Sequence, residues 1–297
     1  MVIILQKEIR LNLGSLDRND YYLAVFYDNN FFSLKKHAKN NSIFTSKIFF
    51  QSLPYSLDEL STILNLVLDN KPEANLSDIL PPPNPFPSKI VGIGKNFKEH
   101  AKEMKNGNKP AFFLKAPSAL IGHNNEIIIP SFVKKPDYEG EVVLLMGKKV
   151  KNASIKEAKE AIIGYTAGND VTGRDLQYGE KNECLPWSQA KGLDTFAPTG
   201  PYIKIIDDYS ELENVCLKTY LNGIEVQHGC PNDMIFDYAN IIVEASRLMT
   251  LYPGDMVFTG TPAGVGHAKG NYLKNNDLIK IEVTGIDPLI NKVVRLS

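Results

Sequence analysis

Five prolines fall within the seven positions Pro81-Pro82-Pro83-Asn84-Pro85-Phe86-Pro87. Each proline fixes φ near −65° and removes an amide donor, so neither a helix nor a central strand can absorb the run. It must be extended, in a polyproline-like strap. The same composition would suit a ligand for an SH3-type module, but well-patterned sequence follows directly, which fits an internal strap better. The strap divides the 297-residue chain into a small N-terminal α+β unit, 1–80, and a larger unit, 88–297.

Before the strap, Tyr21–Tyr27, Asp28-Asn29-Asn30 and Phe31–Leu34 read as a hairpin. Ser56-Leu57-Asp58-Glu59 reads as a capping box opening a short helix to about Val67. After it, short β-branched runs separated by Gly, Pro and Asn predict strands at Lys89–Ile93, Ala111–Lys115, Glu126–Ile129, Val142–Met146, Ile162–Thr166, Gly200–Ile205, Cys216–Leu221, Met256–Thr259 and Leu278–Val283. Helical patterns are few. Ser154-Ile155-Lys156-Glu157 caps one to about Ala161. Asp237–Thr250 is another, with Ile241, Ile242, Ala245 and Leu248 at helical spacing. Many strands and sparse helices predict a β-rich α+β fold, a roll or barrel-like sandwich.

Composition excludes several classes. The chain is 43% hydrophobic and 23% charged with a formal net charge of −1, which gives no electrostatic reason for nucleic acid or an anionic membrane. No stretch approaches the roughly 20 apolar residues of a membrane span, and Met1–Lys7 lacks the basic start of a signal peptide. Cys184, Cys216 and Cys230 show no C-x-x-C spacing; they read as reduced thiols in a cytoplasm and argue against zinc.

Chemistry concentrates in a few segments. Glu139 and Glu141 precede the apolar run Val142–Met146, and residues i and i+2 of a strand share a face. Carboxylates that close raise each other's pKa unless a positive charge intervenes, and a divalent cation with hard oxygen ligands suits them. An exposed strand edge with both glutamates solvated would carry the same spacing. Asp170, in Gly168–Asp175, is a third carboxylate or a turn aspartate paired with Arg174. If Asn96 caps a short helix, His100 and Glu103 form an i,i+3 pair, fit for a general base or for a charged surface. Lys191 stands alone in the turn-rich stretch Trp187–Pro201. Phe258–Gly266 is a glycine-rich loop without a phosphate-loop lysine; it either offers N–H groups and the Thr261 hydroxyl to an anion or is a tight turn.

In this order, Gly94–Glu103, Pro110–Pro130, Tyr138–Glu141, Asn169–Asp175, Lys191–Pro201, Met234–Phe236 and Thr259–Gly266 resemble the fumarylacetoacetate hydrolase family, over residues 88–297. The resemblance implies that family's mixed β-sandwich roll. It implies Mg²⁺ (or Mn²⁺, with Ca²⁺ admissible) on Glu139, Glu141 and Asp170. It implies an oxyanion-stabilising, substrate-binding role for Lys191 and a water-activating dyad of His100 and Glu103, on a segment that orders in relatives when ligand binds. Arg174 and Gln177 match positions lining the metal pocket, and Thr261 matches a contact to the substrate carboxylate. Phe97 departs from the tyrosine common in relatives.

The implied chemistry is attack on a small-molecule 2-oxo (β-diketo) carboxylic acid through a metal-stabilised enolate, foremost hydrolysis of a C–C bond as in acylpyruvates. Isomerisation of 2-hydroxyhepta-2,4-diene-1,7-dioate-type dienoates, which the Lys191–Pro201 segment most resembles, is the alternative, with oxaloacetate decarboxylation beside it. Dehydration of 2-keto-3-deoxy acids and a non-catalytic, metal-stabilised binding protein are further readings. The resemblance also implies a homodimer built from the large unit; Phe112-Phe113 adds apolar surface for it.

Overall fold

The computed structural model describes residues 2–7, 21–27, 30–33, 71, 74–80, 82–84, 86–103, 111–179 and 185–296. The helix expected after Ser56 lies outside them, as does Cys184. Four strands precede the strap: β1 Val2–Lys7, β2 Tyr21–Tyr27, β3 Asn30–Ser33 and β4 Ala74–Asn75. Then come β5 Ile90–Gly94, β6 Ala111–Lys115, β7 Leu120–Ile121, β8 Glu126–Ile129, β9 Pro136–Asp137 and β10 Gly140–Met146. β11 Ile162–Asn169, β12 Thr172–Gly173, β13 Ala197–Ile205, β14 Leu217–Leu221 and β15 Ile224–Gly229 follow. β16 Met256–Phe258, β17 Leu278–Val283 and β18 Ile286–Arg295 complete the set. The described helices are short: α1 Lys98–Glu103, α2 Ile155–Ala161, α3 Arg174–Tyr178, α4 Trp187–Lys191, α5 Tyr238–Leu248 and α6 Gly266–Lys269.

The large sheet runs β4-β3-β2-β1-β13-β11-β10-β16-β5-β6, and a second sheet runs β15-β14-β17-β18-β8. The expected hairpin is present, with Tyr27 opposite Asn30. Its partner β1 pairs antiparallel with β13, so the strands before the strap extend the same large sheet. All seven residues of β10 are buried. A strand covered on both faces reads as a continuous apolar run rather than an alternation, which is why Val142–Met146 stood out. The strap is buried at Pro82, Pro83, Asn84 and Pro87, and the Asn84 amide donates to the Gly254 carbonyl at 2.6 Å.

Helix ends follow their sequence signals. Ser154 accepts from the Glu157 amide in a full capping box. Asp237 caps α5 by accepting from Asn240 N at 2.7 Å. Tyr238, Ala239, Ile241, Ile242 and Ala245 of α5 enter the core. Leu248, expected on that face, is 63% exposed because the helix ends there.

Two expectations are corrected. Cys216 and Cys230, read as reduced thiols, form a disulfide with a Cα–Cα separation of 4.2 Å. They flank the β14–β15 hairpin, whose register sets Leu217 opposite Gly229 and so brings its two ends together. Asn96 does not cap α1. Its side chain accepts from Phe236 N and donates to the carbonyls of Phe236 and Thr259, each at 2.9 Å. No helix among the described residues is long and apolar enough to cross a membrane.

Candidate metal centre and active site

The E-x-E pair straddles the start of β10, with Glu139 just before it and Glu141 inside. Antiparallel pairing sets Gly140 opposite Asn169, so Asp170 at the end of β11 arrives beside both glutamates. Asp170 N donates to the Glu139 carbonyl at 2.8 Å, and the Asn169 side-chain oxygen accepts from Glu139 N at 3.0 Å. The three carboxylates are buried, and one oxygen from each lies within 4.8 Å of the others.

Cations surround this cluster unevenly. Lys191, at the end of α4 and 2% exposed, donates to Glu139 Oε2 at 2.8 Å, Asp170 Oδ2 at 2.5 Å and Thr172 Oγ1 at 2.8 Å. Arg174 opens α3; its Nη2 reaches Glu139 Oε1 at 2.5 Å, its Nε reaches Asp137 Oδ2 at 2.9 Å and its Nη1 reaches Gln177 Oε1 at 2.9 Å. Arg174 therefore pairs with Asp137 and Glu139, and the turn pairing of Asp170 with Arg174 is not formed. Lys115 Nζ meets Asp170 Oδ1 at 2.5 Å. Among the described residues, the Glu141 side chain accepts only from the Gly260 amide, at 2.7 Å.

The electrostatics follow. Burial works to raise the Glu139 carboxyl, but Lys191 and Arg174 outweigh it and hold Glu139 far below the usual carboxylate range. Burial pushes Glu141 well up, and Asp170 and Glu139 push it further. Burial lowers the Lys115 ammonium despite Asp170. Burial also opposes the charge of Lys191, yet Asp170 and Glu139 raise it. Glu141 thus has no cationic hydrogen-bond or ion-pair partner among the described residues, in a buried, all-oxygen cluster. A hard divalent ion fits that donor set, as Mg²⁺, Mn²⁺ and Ca²⁺ prefer carboxylate oxygens.

The same cleft is lined by Ile93, His100, Gln177, Tyr178, Trp187 and Thr261. His100 is 4% exposed and close enough to Glu139 to influence it. Glu103 is the last residue of α1, three positions on; its side chain lies outside the described residues. Phe97 is buried against Gly229 and bridges Met234, so its phenyl ring fills a contact that needs no hydroxyl. Thr261 Oγ1 donates to the Gly140 carbonyl at 2.9 Å. A hydroxyl has one proton, so the expected contact to a substrate carboxylate would require Thr261 to release Gly140.

Sequence reasoning missed Lys115, Asp137 and Gln227. In the sequence Lys115 is only the end of the expected strand Ala111–Lys115. The available signal was parity: in β6, Phe113 and Lys115 are buried while Leu114 is 42% exposed, so the lysine shares the inward face. Asp137 gave no signal beyond preceding Tyr138; its oxygens accept from Arg174 Nε and the amides of Gly266 and His267.

Known proteins resemble this chain in sequence and in fold. A family model described as fumarylacetoacetate (FAA) hydrolase C-terminal matches residues 89–294. Human mitochondrial oxaloacetate tautomerase FAHD2A is 34% identical over 212 residues, 70% of this chain and 67% of its own length. The 2-hydroxyhepta-2,4-diene-1,7-dioate isomerase from Mycobacterium marinum superposes with a TM-score of 0.69 at 29% identity, covering 99% of each chain. Fumarylpyruvate hydrolase from Pseudomonas aeruginosa, solved with Mn²⁺ and pyruvate, gives a TM-score of 0.65 at 28% identity, over 70% of this chain and 90% of that one. With more than two thirds of its length matched and its fold shared, the chain belongs to the fumarylacetoacetate hydrolase C-terminal domain family of enzymes.

Proposed function

We propose that this enzyme uses Mg²⁺, or Mn²⁺ in its place, to act on a 2-oxo (β-diketo) carboxylic acid, and that its reaction is hydrolysis of a C–C bond. The observation carrying this reading is the convergence of buried Glu139, Glu141, Lys191 and His100 on one cleft, with buried Asp170 placing an oxygen within 4.8 Å of both glutamates. A divalent ion held by Glu139, Glu141 and Asp170 would act as a Lewis acid on the 2-oxo acid head.

The chain's own groups supply the rest. An imidazole nitrogen of His100 takes a proton from water aimed at the second carbonyl, with Glu103 holding the ring's tautomer. After the C–C bond breaks, the same proton is available to the carbon that leaves. Lys191 has three N–H bonds, and Glu139, Asp170 and Thr172 take all three. For Lys191 to hold an oxyanion, one of these must be exchanged, and the neutral Thr172 hydroxyl is the weakest partner. Arg174 spends Nε and Nη2 on Asp137 and Glu139, so it steadies Glu139 more than it grips substrate. Gln177 has its carboxamide oxygen fixed by Arg174, which leaves the amide nitrogen as its donor.

Isomerase and oxaloacetate-directed chemistry remain rival outcomes of one experiment, since relatives carry those names. Acylpyruvates, oxaloacetate and hydroxymuconate-type dienoates are assayed with Mg²⁺. Acylpyruvate cleavage as the fastest reaction supports the proposal; turnover confined to a dienoate or to oxaloacetate overturns the hydrolytic assignment. We also propose a homodimer, with Leu114 and Phe132 exposed at 42% and 56% as apolar surface to cover. Light scattering at micromolar concentration tests it, and a monomeric mass with full activity refutes it.

A further inference from the structure

Gln227 lies on β15, in the second sheet, and is 2% exposed. Its side-chain oxygen accepts from Gly140 N at 3.0 Å. Its side-chain nitrogen donates to Thr261 Oγ1 at 2.7 Å and to the Pro262 carbonyl at 2.9 Å. Thr261 in turn donates to the Gly140 carbonyl. A closed ring therefore joins both backbone groups of Gly140, the residue between the two glutamates, to the glycine-rich loop. One residue before Thr261, Gly260 N holds Glu141.

The ring sits where β16 stops supporting one edge of the strand, whose other edge stays paired with β11 at Gly140 and Asn169. β10 pairs with β16 only from Val143 to Leu145, so the Glu139–Glu141 end has run past that ladder. Gln227 supplies, from a side chain, the partner the backbone there would otherwise lack. The hairpin presses close at two further points. A Cβ on Gly140 would lie 2.0 Å from Thr219 Oγ1 of β14. Gly264, at φ +105°, packs so that a Cβ would lie 2.0 Å from the Val226 carbonyl.

We infer that Gln227 is a positioning residue of the metal centre: its amide sets the spacing between the Glu139–Glu141 strand end and the 260–262 loop, and so the direction in which Glu141 faces the ion. The inference rests on the reading that these carboxylates hold a divalent ion. Groups that orient metal ligands without touching the metal are worth roughly 10–100-fold in affinity.

The test measures Mn²⁺ affinity of the full chain by electron paramagnetic resonance, alongside thermal unfolding. Gln227→Met should weaken Mn²⁺ binding about 10–100-fold. Ser246→Ala serves as control: it removes a buried hydroxyl of α5 that accepts from Ala153 N and donates to the Val243 carbonyl, bonds that touch neither this ring nor the three carboxylates. It should lower the melting temperature and leave Mn²⁺ affinity unchanged. If Gln227→Met fails to fold, Thr261→Val cuts the same ring from the loop side; a tenfold or larger loss then supports the role. Folded variants binding Mn²⁺ within twofold of wild type overturn it. A wild-type chain that binds no Mn²⁺ brings down the metal reading itself, and the role of Gln227 with it.

Discussion

The two walls of the cleft are held by different forces. On the metal side, Glu139, Glu141 and Asp170 sit at the ends of buried strands, and Lys115, Arg174 and Lys191 reach Glu139 and Asp170 through short charged contacts. On the base side, His100 rides on a six-residue helix. That helix is tied down by the Asn96 side chain, a Phe97–Met234 bridge and an Ile235 N bond to the Asn96 carbonyl. Hydrogen bonds to charged groups contribute about 1.5–3 kcal/mol each, against about 0.5–1.5 for neutral ones. The metal wall is thus preset by buried ion pairs, while the base wall depends on neutral hydrogen bonds, one exposed Lys98 contact to the Asn232 carbonyl and a helix too short to stand alone. The lesson is that metal affinity and proton transfer should separate under mutation.

His100→Ala gives the sharpest separation. Turnover should fall about 10²–10⁴-fold, the range for a lost general base, with metal affinity changed only a few-fold. Steady-state kinetics and Mn²⁺ titration together check it; a parallel loss of both would erase the contrast between the walls. Lys191→Met attacks the other wall. Activity should fall about 10²–10³-fold, as for removal of an oxyanion donor. The metal-free protein should also lose roughly 3–5 kcal/mol, because two buried carboxylates lose their shared partner. Denaturant unfolding measures the cost, and added Mg²⁺ should recover part of it. Unchanged activity and stability would return Lys191 to a passive role.

How much of this was legible depended on whether a residue's local pattern carried its reason. Glu139, Glu141 and Asp170 were readable because strand periodicity and motif order agreed. Lys191 was readable as the one lysine in a mostly uncharged, turn-rich segment. Lys115 was not, because a lysine closing an apolar strand usually faces solvent, and its buried partners, the Asp170 carboxylate and the Val171 carbonyl, lie 55 and 56 residues away. β15 was missed for a related reason: Ile224 and Glu225 are exposed and Gln227 is buried, which inverts the polar–apolar alternation. Missing that strand hid the hairpin and, with it, the pairing of Cys216 with Cys230. β1 and β18 also went unread; Asp287, Pro288 and Asn291 interrupt the apolar pattern of β18, and Asn291 is buried because its amide serves the carbonyls of Gly122 and Asn125.

The disulfide offers a smaller test. It closes a loop with a sequence separation of 14 at the base of the hairpin that carries Gln227. Replacing Cys216 by Ser should cost up to about 3 kcal/mol in unfolding free energy and weaken metal binding less than Gln227→Met does. Mass spectrometry after alkylation under non-reducing conditions reports the bond itself; two alkylated cysteines at 216 and 230 in the native protein would contradict the pairing.

The central claim is that Glu139, Glu141 and Asp170 together hold one oxygen-ligated divalent ion. Crystals grown with Mn²⁺ and measured at its absorption edge test this most directly. The account predicts a single strong anomalous peak within bonding distance of all three carboxylates, with water or substrate oxygens completing an octahedron. A peak bound elsewhere, or none at this cluster while Lys191 keeps its contacts to Glu139 and Asp170, would contradict it.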